Sequence, residues 1–291
     1  MAVLTAKYKI TWEKLPEDFI LPDDPVDNIN QPPLAAALSD SLQVAGRVTD
    51  NTLTPTNYGI CATLDGKMVV KAPDWAYIGA ISVPPEEVIR SYTPQLQGEI
   101  PAIVMEFLSH TDGGEYSSKS TYPPGKWLFY EQILQVPYYA IFEPAKGALE
   151  VYHLDQTGQY QFQFPDANGR YWIETMNLFL GVWHGTRERR NGYWLRWWDH
   201  KGELLLWSSE VAERQQQRAE EQQQRAERQQ QRAEEQQQRA DRLLQRAEEQ
   251  QQRAEAERQR AERQQQRAEE QQQRADRLLQ QLRAAGLEPE E

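Results

Sequence analysis

Short apolar runs separated by turn residues fill the first two thirds of the chain, and a polar repeat replaces them in the last third. Runs of this length, rich in β-branched and aromatic residues, are typical of buried strands. Asp65 and Gly66 separate two of the runs and predict a hairpin turn between them. The four runs that most clearly predict strands are residues 58–64, 67–71, 101–109 and 137–143.

Two stretches have the periodicity of helices instead. Apolar side chains recur at helical spacing over residues 34–42. Pro33 suits the first turn of that helix and Gly46 suits its end, so both boundaries are predicted as well as the helix. Residues 126–134 predict a second, short amphipathic helix.

These elements divide the chain into regions. Residues 1–32 are rich in Pro, Asp and Asn, which predicts an extended N-terminal arm. Residues 33–207 hold the predicted strands and helices and eight of the nine tryptophans. Alternating residues at 149–154 and 160–164 predict a further hairpin in this region. We therefore predict an α/β domain, a mixed sheet flanked by helices, with a β-rich C-terminal part.

Residues 208–285 form a heptad repeat of Gln, Arg, Glu and Ala, which predicts a long helix, and residues 286–291 after it are expected to be disordered. One heptad position is repeatedly alanine. The position three residues further on is mostly glutamine, with leucine at Leu243 and Leu278. These two positions would form the core of a coiled coil, and glutamine at one of them makes that core weak. Two interpretations stay open: a solitary helix held by Glu–Arg pairs spaced i, i+4, or a loose coiled-coil homodimer clamped near the leucines.

Charge and cysteine content narrow the class of protein. The formal net charge is −12, which argues against a non-specific nucleic-acid coat although it leaves room for a local basic groove. Cys61 is the single cysteine and excludes an intramolecular disulfide, as expected in a reducing compartment. We see neither a signal peptide at the N-terminus nor an apolar run long enough for a membrane span. The expectation is a soluble cytoplasmic protein.

Two apolar runs each carry one carboxylate. Asp74 ends the run from residue 69, and Glu106 lies inside the run 101–109. A carboxylate in a buried strand is costly unless it is hydrogen-bonded, paired or bound to a metal. On neighbouring strands, the two would make a small oxygen-ligand site for a hard divalent cation such as Mg²⁺. Nucleases of the two-strand carboxylate type add a lysine two residues after the second acid, but this chain has Leu108 there.

Four segments, taken in order, resemble the Uma-two family of bacterial restriction-endonuclease-like proteins. The tail also resembles the Gln/Arg/Glu/Ala helix that ends longer members. The segments are Lys71-Ala72-Pro73-Asp74, Ile103-Val104-Met105-Glu106-Phe107-Leu108-Ser109, Gly125-Lys126-Trp127-Leu128-Phe129-Tyr130-Glu131 and Pro137-Tyr138-Tyr139-Ala140-Ile141-Phe142.

The resemblance implies the PD-(D/E)XK nuclease fold and a lysine carried by the helix after the acidic strand, in a Lys-x-x-x-Tyr pattern. Lys126 and Tyr130 fit that pattern. The implied function is Mg²⁺-dependent hydrolysis of DNA, with Asp74 and Glu106 as metal ligands and Lys126 assisting the water. Members usually carry an acidic residue shortly before this lysine, where the chain has residues 120–124 without one. That departure favours an alternative: an inactive nuclease-like domain that interacts or oligomerises through its tail.

Overall fold

A computed structural model describes residues 3–4, 8–16, 18–19, 29–108 and 114–285. Much of the predicted arm 1–32 therefore lies outside the described residues. The same holds for Ser109, at the end of the predicted strand, and for the predicted disordered end 286–291.

The first sheet is antiparallel and takes in part of the predicted arm. Its strands are β1 (Val3–Leu4), β2 (Lys9–Thr11), β3 (Ile60–Leu64) and β4 (Lys67–Lys71), in that order across the sheet. The Asp65-Gly66 hairpin is confirmed: both residues have positive φ, +48° and +79°, as a tight two-residue turn between twisted strands requires. Helix α1 (Gln31–Val44) contains the predicted residues 34–42, and Gly46 follows its end with φ +68°.

The second sheet is the central one and is mixed, as predicted. Antiparallel pairing joins every pair of neighbours except β6 and β7, which run parallel. A parallel pair needs a crossover, and the segment that includes residues 126–134 provides it. Across the sheet the strands are β5 (Trp75–Tyr77), β6 (Ile103–Phe107), β7 (Tyr138–Glu143), β8 (Ala148–Leu154) and β9 (Tyr160–Phe162).

Only the first part of the apolar run that ends on Asp74 forms a strand. The run that ends on Asp74 was expected to be a single buried strand, but β4 ends at Lys71 in the first sheet and β5 begins at Trp75 in the central one. Pro73 lies between them and has no N–H to donate to a ladder. Asp74 consequently lies in the short connection between the first sheet and the central sheet.

A third sheet packs beyond the central one. It is antiparallel and consists of β10 (Arg170–Ile173), β11 (Leu178–Arg187) and β12 (Arg190–Trp198). After β12, residues 203–207 form no further strand in the described chain. A single bridge from Leu204 to Trp198 takes its place.

Two hydrophobic clusters lie on opposite faces of the central sheet. One contains α1, β12 and the β6 side chains Ile103, Met105 and Phe107. The other contains β3, the 126–134 segment and Val104. Because side chains alternate along a strand, Glu106 faces the same side as Val104. A fully buried carboxylate therefore points into an otherwise apolar layer.

The long helix α3 (Ser208–Ala284) begins on the folded domain. Arg196 of β12 is fully buried, and its guanidinium lies 3.4 Å from the centre of the Trp207 ring. Its Nη2 donates to Glu210 Oε2 at 2.7 Å and its Nη1 to Oε1 at 3.1 Å. The Trp207 amide also donates to Glu210, at 2.8 Å. Glu210 thus neutralises a buried cation and caps the helix that it belongs to.

The chain divides into two compact units, residues 1–213 and 214–291. Within the second unit, no side chain of α3 is buried. Gln–Glu hydrogen bonds spaced i, i+4 connect its turns, as from Gln216 to Glu220 and from Gln230 to Glu234. Along the described helix these bonds, and not the expected Glu–Arg ion pairs, join neighbouring side chains. No helix among the described residues combines the length and apolar character needed to cross a membrane.

Candidate active site

The candidate site begins with two acids on neighbouring strands. Strands β5 and β6 pair antiparallel with Trp75 opposite Met105. The same register places Asp74 beside Glu106, on the face that Val104 shares. Asp74 is held there by the Phe107 amide, which donates to its Oδ2 at 2.6 Å. The backbone of one strand therefore orients the acid of the other.

A helical segment supplies the partners of Glu106. The segment starts as α2 (Lys126–Leu128) and continues as a π-helical turn (Phe129–Leu134), so the predicted helix is present but is wound more widely over most of its length. Lys126 Nζ lies 2.9 Å from Glu106 Oε2, and Tyr130 OH donates to Oε1 at 3.0 Å. Both carboxylate oxygens of Glu106 thus have a donor from the same helical segment.

The start of that segment is fixed by a close backbone contact. Gly125 packs against Ser117, and a Cβ added at Gly125 would come within 2.0 Å of the Ser117 carbonyl oxygen. The Gly125 amide also donates to the Lys119 carbonyl oxygen at 2.9 Å. Only glycine allows this approach, so the loop from residue 114 and the helix that follows it hold Lys126 in position.

Burial governs the protonation of these groups. It raises the pKa of Glu106 to about 8, against the opposing charge of Lys126, and the nearby charge of Asp74 raises it further. Burial raises the pKa of Asp74 as well. It acts to lower the pKa of Lys126, but the Glu106 carboxylate outweighs this effect, and the pKa of Lys126 is raised. Lys126 is therefore a cation near neutral pH, and Glu106 readily takes up a proton.

Glu115 is the residue that the sequence pattern did not indicate. It is buried, and the Tyr139 hydroxyl donates to its backbone carbonyl at 2.9 Å. Its charge raises the pKa of both Asp74 and Lys126, so it contributes negative potential to the site. The spacing of residues along the chain did not indicate Glu115, because Glu115 lies in a polar loop that has neither a strand period nor a helix period.

The donor set suits a hard divalent cation. The fit rests on Asp74 and Glu106, which the β5–β6 register places beside each other and whose pKa values are both raised by burial. Oxygen ligands of this kind are those that Mg²⁺ takes. The described residues contain no group of three or more His, Cys, Asp or Glu arranged to hold a metal. The pair would thus bind an ion that keeps several waters.

A cavity lies elsewhere in the molecule. A cavity of about 360 Å³ is bordered by the tip of the β11–β12 hairpin and the start of α1, and includes His184, Arg190 and Tyr193. None of Asp74, Glu106 and Lys126 lines it. The acids and not this cavity form the candidate site, because a fully buried carboxylate is costly to keep unless it is paired or bound.

The mixed sheet brings two acids together on neighbouring strands, and a lysine from the crossover segment binds one of them. This arrangement defines a restriction-endonuclease-like α/β protein. The chain belongs to the Uma2 family, which is the Uma-two family that its sequence resembles. The family model, described as "Putative restriction endonuclease", matches residues 37–185, just over half of the 291 residues. Asp74, Glu106, Glu115 and Lys126 all lie in the matched region. Among curated proteins there is no match.

Proposed function

We propose that the protein is a Mg²⁺-dependent endonuclease that hydrolyses DNA phosphodiester bonds. The observation that carries the proposal is the convergence of Asp74, Glu106 and Lys126, with Tyr130 fixing Glu106. Asp74 and Glu106 would hold the metal. When bound, the metal lowers the pKa of a bound water and neutralises charge that develops on the phosphate. The family relationship supports the nuclease class.

The residues of the chain have separable roles in this proposal. In hydrolysis a water oxygen bonds to phosphorus and releases a proton to solvent, one ester P–O bond breaks and its oxygen takes up a proton from solvent, and negative charge accumulates meanwhile on the phosphoryl oxygens. Lys126 has a raised pKa and so acts as a fixed cation that attracts and orients the phosphate, and not as a base. Glu106 holds the Lys126 ammonium at 2.9 Å, and Tyr130 holds Glu106. Burial of this chain of contacts strengthens each electrostatic interaction.

The test measures nicking of supercoiled plasmid by the full chain with Mg²⁺ and with a chelator, and Mg²⁺ binding by calorimetry at two pH values. We expect nicking only with Mg²⁺. Binding should be tighter at about pH 8.5 than at about pH 6.5, because Glu106, with a pKa near 8, holds a proton at the lower pH that the metal must displace. A chain that neither binds millimolar Mg²⁺ nor nicks DNA at either pH contradicts the proposal.

A second candidate function is self-association through α3, with a nuclease-like domain that is inactive. The observation that favours it is a set of leucines exposed on a polar helix, where nothing in the described chain covers them: Leu243, Leu244, Leu278 and Leu279. The two pairs are 35 residues apart, which is five heptads, so they occupy the same heptad positions and form one seam when two helices supercoil around each other. A second copy of α3 packed along that seam would bury them.

Sedimentation over a concentration series tests self-association. We expect the weight-average mass of the full chain to rise towards that of a homodimer, and the fourfold variant with glutamine at these leucines to stay monomeric, because glutamine removes the apolar surface and keeps the helix propensity. A control replaces Gln236 and Gln271 with alanine at the corresponding heptad position. A native chain that stays monomeric at the highest concentration rules out the homodimer.

A further inference from the structure

All the leucines of α3 lie on one face of the helix. We name the recurrent alanine position a of the heptad, so that Leu243 and Leu278 occupy position d and Leu244 and Leu279 occupy position e. Leu282 falls on position a itself. In a supercoiled helix, positions d and e lie about 50° to either side of position a. The exposed leucines therefore share a face made of positions d, a and e, which we call the leucine face.

Opposite charges border the two sides of the leucine face. Position g is arginine in nine consecutive heptads, from Arg218 to Arg274. Position b is acidic in ten consecutive heptads, from Glu213 to Asp276. These positions lie about 100° to either side of position a, position g beyond position d and position b beyond position e. We call them the basic stripe and the acidic stripe.

The charges of both stripes are available to a partner. Among the described residues, none of the ion pairs includes an arginine of the basic stripe. Several acids of the acidic stripe accept from a glutamine at position e, as Glu220 does from Gln216 at 2.9 Å. A neutral amide does not cancel the charge of a carboxylate, and no side chain of α3 is buried. A single copy thus exposes a positive stripe and a negative stripe along the two edges of one face.

The stripes distinguish between the two directions in which a second copy of α3 could pack. A parallel pair has its two-fold axis along the helices, so the basic stripe of each copy lies beside the acidic stripe of the other. In an antiparallel pair arginine faces arginine along one edge and acid faces acid along the other, which is unfavourable. An antiparallel pair that aligned both sets of leucines would also leave residues 208–237 of each helix beyond the end of the other. The pattern therefore selects the parallel pair.

One charged heptad on the leucine face indicates the register. There, positions d and e are Glu257 and Arg258 in place of glutamine or leucine. In a parallel pair without axial offset, position d of one copy lies beside position e of the other, so Glu257 of each copy meets Arg258 of the other. An offset of one heptad in either direction would place Glu257 beside a glutamine instead. Both charges are matched only when the two helices are in register.

We infer that two copies of α3 pair in parallel and in register through the leucine face, with the basic stripe of each copy bound to the acidic stripe of the other. The inference rests on the self-association proposed for α3 and adds its direction, its register and the contacts that select them. Because α3 follows the folded domain in each copy, the domains of both copies are joined to the same end of the helical pair. The stripes are exposed, so added salt weakens the pairing.

The test measures disulfide formation between two copies of the full chain. Ala226→Cys places a thiol at position a, on the leucine face. In the parallel pair this thiol meets its own counterpart, so oxidised glutathione should link about half of the chains or more at a concentration where sedimentation shows a dimer. In an antiparallel pair of fully overlapping helices, residue 226 lies about 60 Å from its counterpart and cannot be linked to it. Non-reducing electrophoresis measures the linked fraction.

Gln224→Cys is the matched control, because Gln224 occupies position f on the far side of the same turn. It should link at most about a fifth as many chains, and the native chain should link none, since its single Cys61 is buried. A dimer in which Ala226→Cys links no better than Gln224→Cys overturns the parallel arrangement and leaves self-association standing. A chain that is monomeric at every concentration overturns both. Neither result depends on nicking of DNA.

Charge reversal tests the contact between the stripes. Arg225→Glu/Arg232→Glu sets glutamate against the acidic stripe of the second copy and should raise the dimer dissociation constant at least about ten-fold, measured by sedimentation. When it is mixed with Glu227→Arg/Glu234→Arg, opposite charges face each other again, and the mixture should dimerise with nearly native affinity. A mixture that dimerises as weakly as either variant alone contradicts the pairing of the two stripes.

Discussion

Replacing Glu106 with glutamine is expected to lower Mg²⁺-dependent plasmid nicking by about a thousand-fold or more. Glutamine keeps the volume of the side chain and can still accept from Tyr130. It places either an amide N–H or a neutral oxygen against the Lys126 ammonium, where a carboxylate oxygen lies 2.9 Å away in the native chain. It also removes one of the two metal-binding carboxylates. Initial nicking rates at saturating Mg²⁺ measure the effect.

Glu143→Gln supplies the matched control for Glu106→Gln. Glu143 ends β7, the neighbouring strand, and forms an ion pair with the exposed Lys146 at 2.8 Å. Its replacement should change the nicking rate by less than about two-fold, because exposed ion pairs contribute little. If Glu106→Gln nicks DNA at a rate within a few fold of the native chain, Glu106 is not part of the machinery and the endonuclease proposal loses its central residue.

Replacing Glu210 with glutamine is expected to lower the free energy of unfolding of the folded domain by about 3 kcal/mol. Glu210 is the ionic partner of the fully buried Arg196, and without its charge the guanidinium stays desolvated against Trp183 and Trp207 and loses the carboxylate that it hydrogen-bonds. Removing one partner of a buried pair costs more than the pair contributes. Urea denaturation followed by tryptophan fluorescence measures the change, since these tryptophans belong to the domain.

Glu213→Gln tests whether the loss belongs to the buried pair or to the helix. Glu213 is exposed and is the last residue of the first compact unit. Its replacement should change stability by less than about 0.5 kcal/mol. Equal effects of the two substitutions would show that the start of α3 responds to charge in general, and would contradict a specific role for the Arg196–Glu210 pair.

Local signals in the sequence predicted local structure well. The Asp65-Gly66 turn and the helix with Gly46 after its end were both predicted, because the residues that permit positive φ are few and their effect acts over a few positions. The wider π-helical turn at Phe129–Leu134 was not predicted. Apolar spacing over so short a segment does not separate it from an α-helix.

The long-range arrangement of strands and loops was harder to predict from the sequence. The sequence placed Glu106 in a buried strand, but the passage of the chain from the first sheet to the central one around Asp74 depends on which strands pair across the fold. Pro73 indicated that the strand is interrupted there, but it did not predict which sheet the following residues join. Glu115 reaches the site through a loop held by Tyr139 and by the Gly125 contact, and neither contact is visible as a spacing.

The regularity of α3 makes its length adjustable. Each set of seven residues advances the helix by about 10 Å and brings the same kinds of side chain back to nearly the same direction. Adding or deleting one such set between Leu244 and Leu278 would keep both leucine pairs at the same heptad positions and change their separation along the axis. A relative could therefore set the spacing of its two contact points by gaining or losing whole units, leaving the domain untouched.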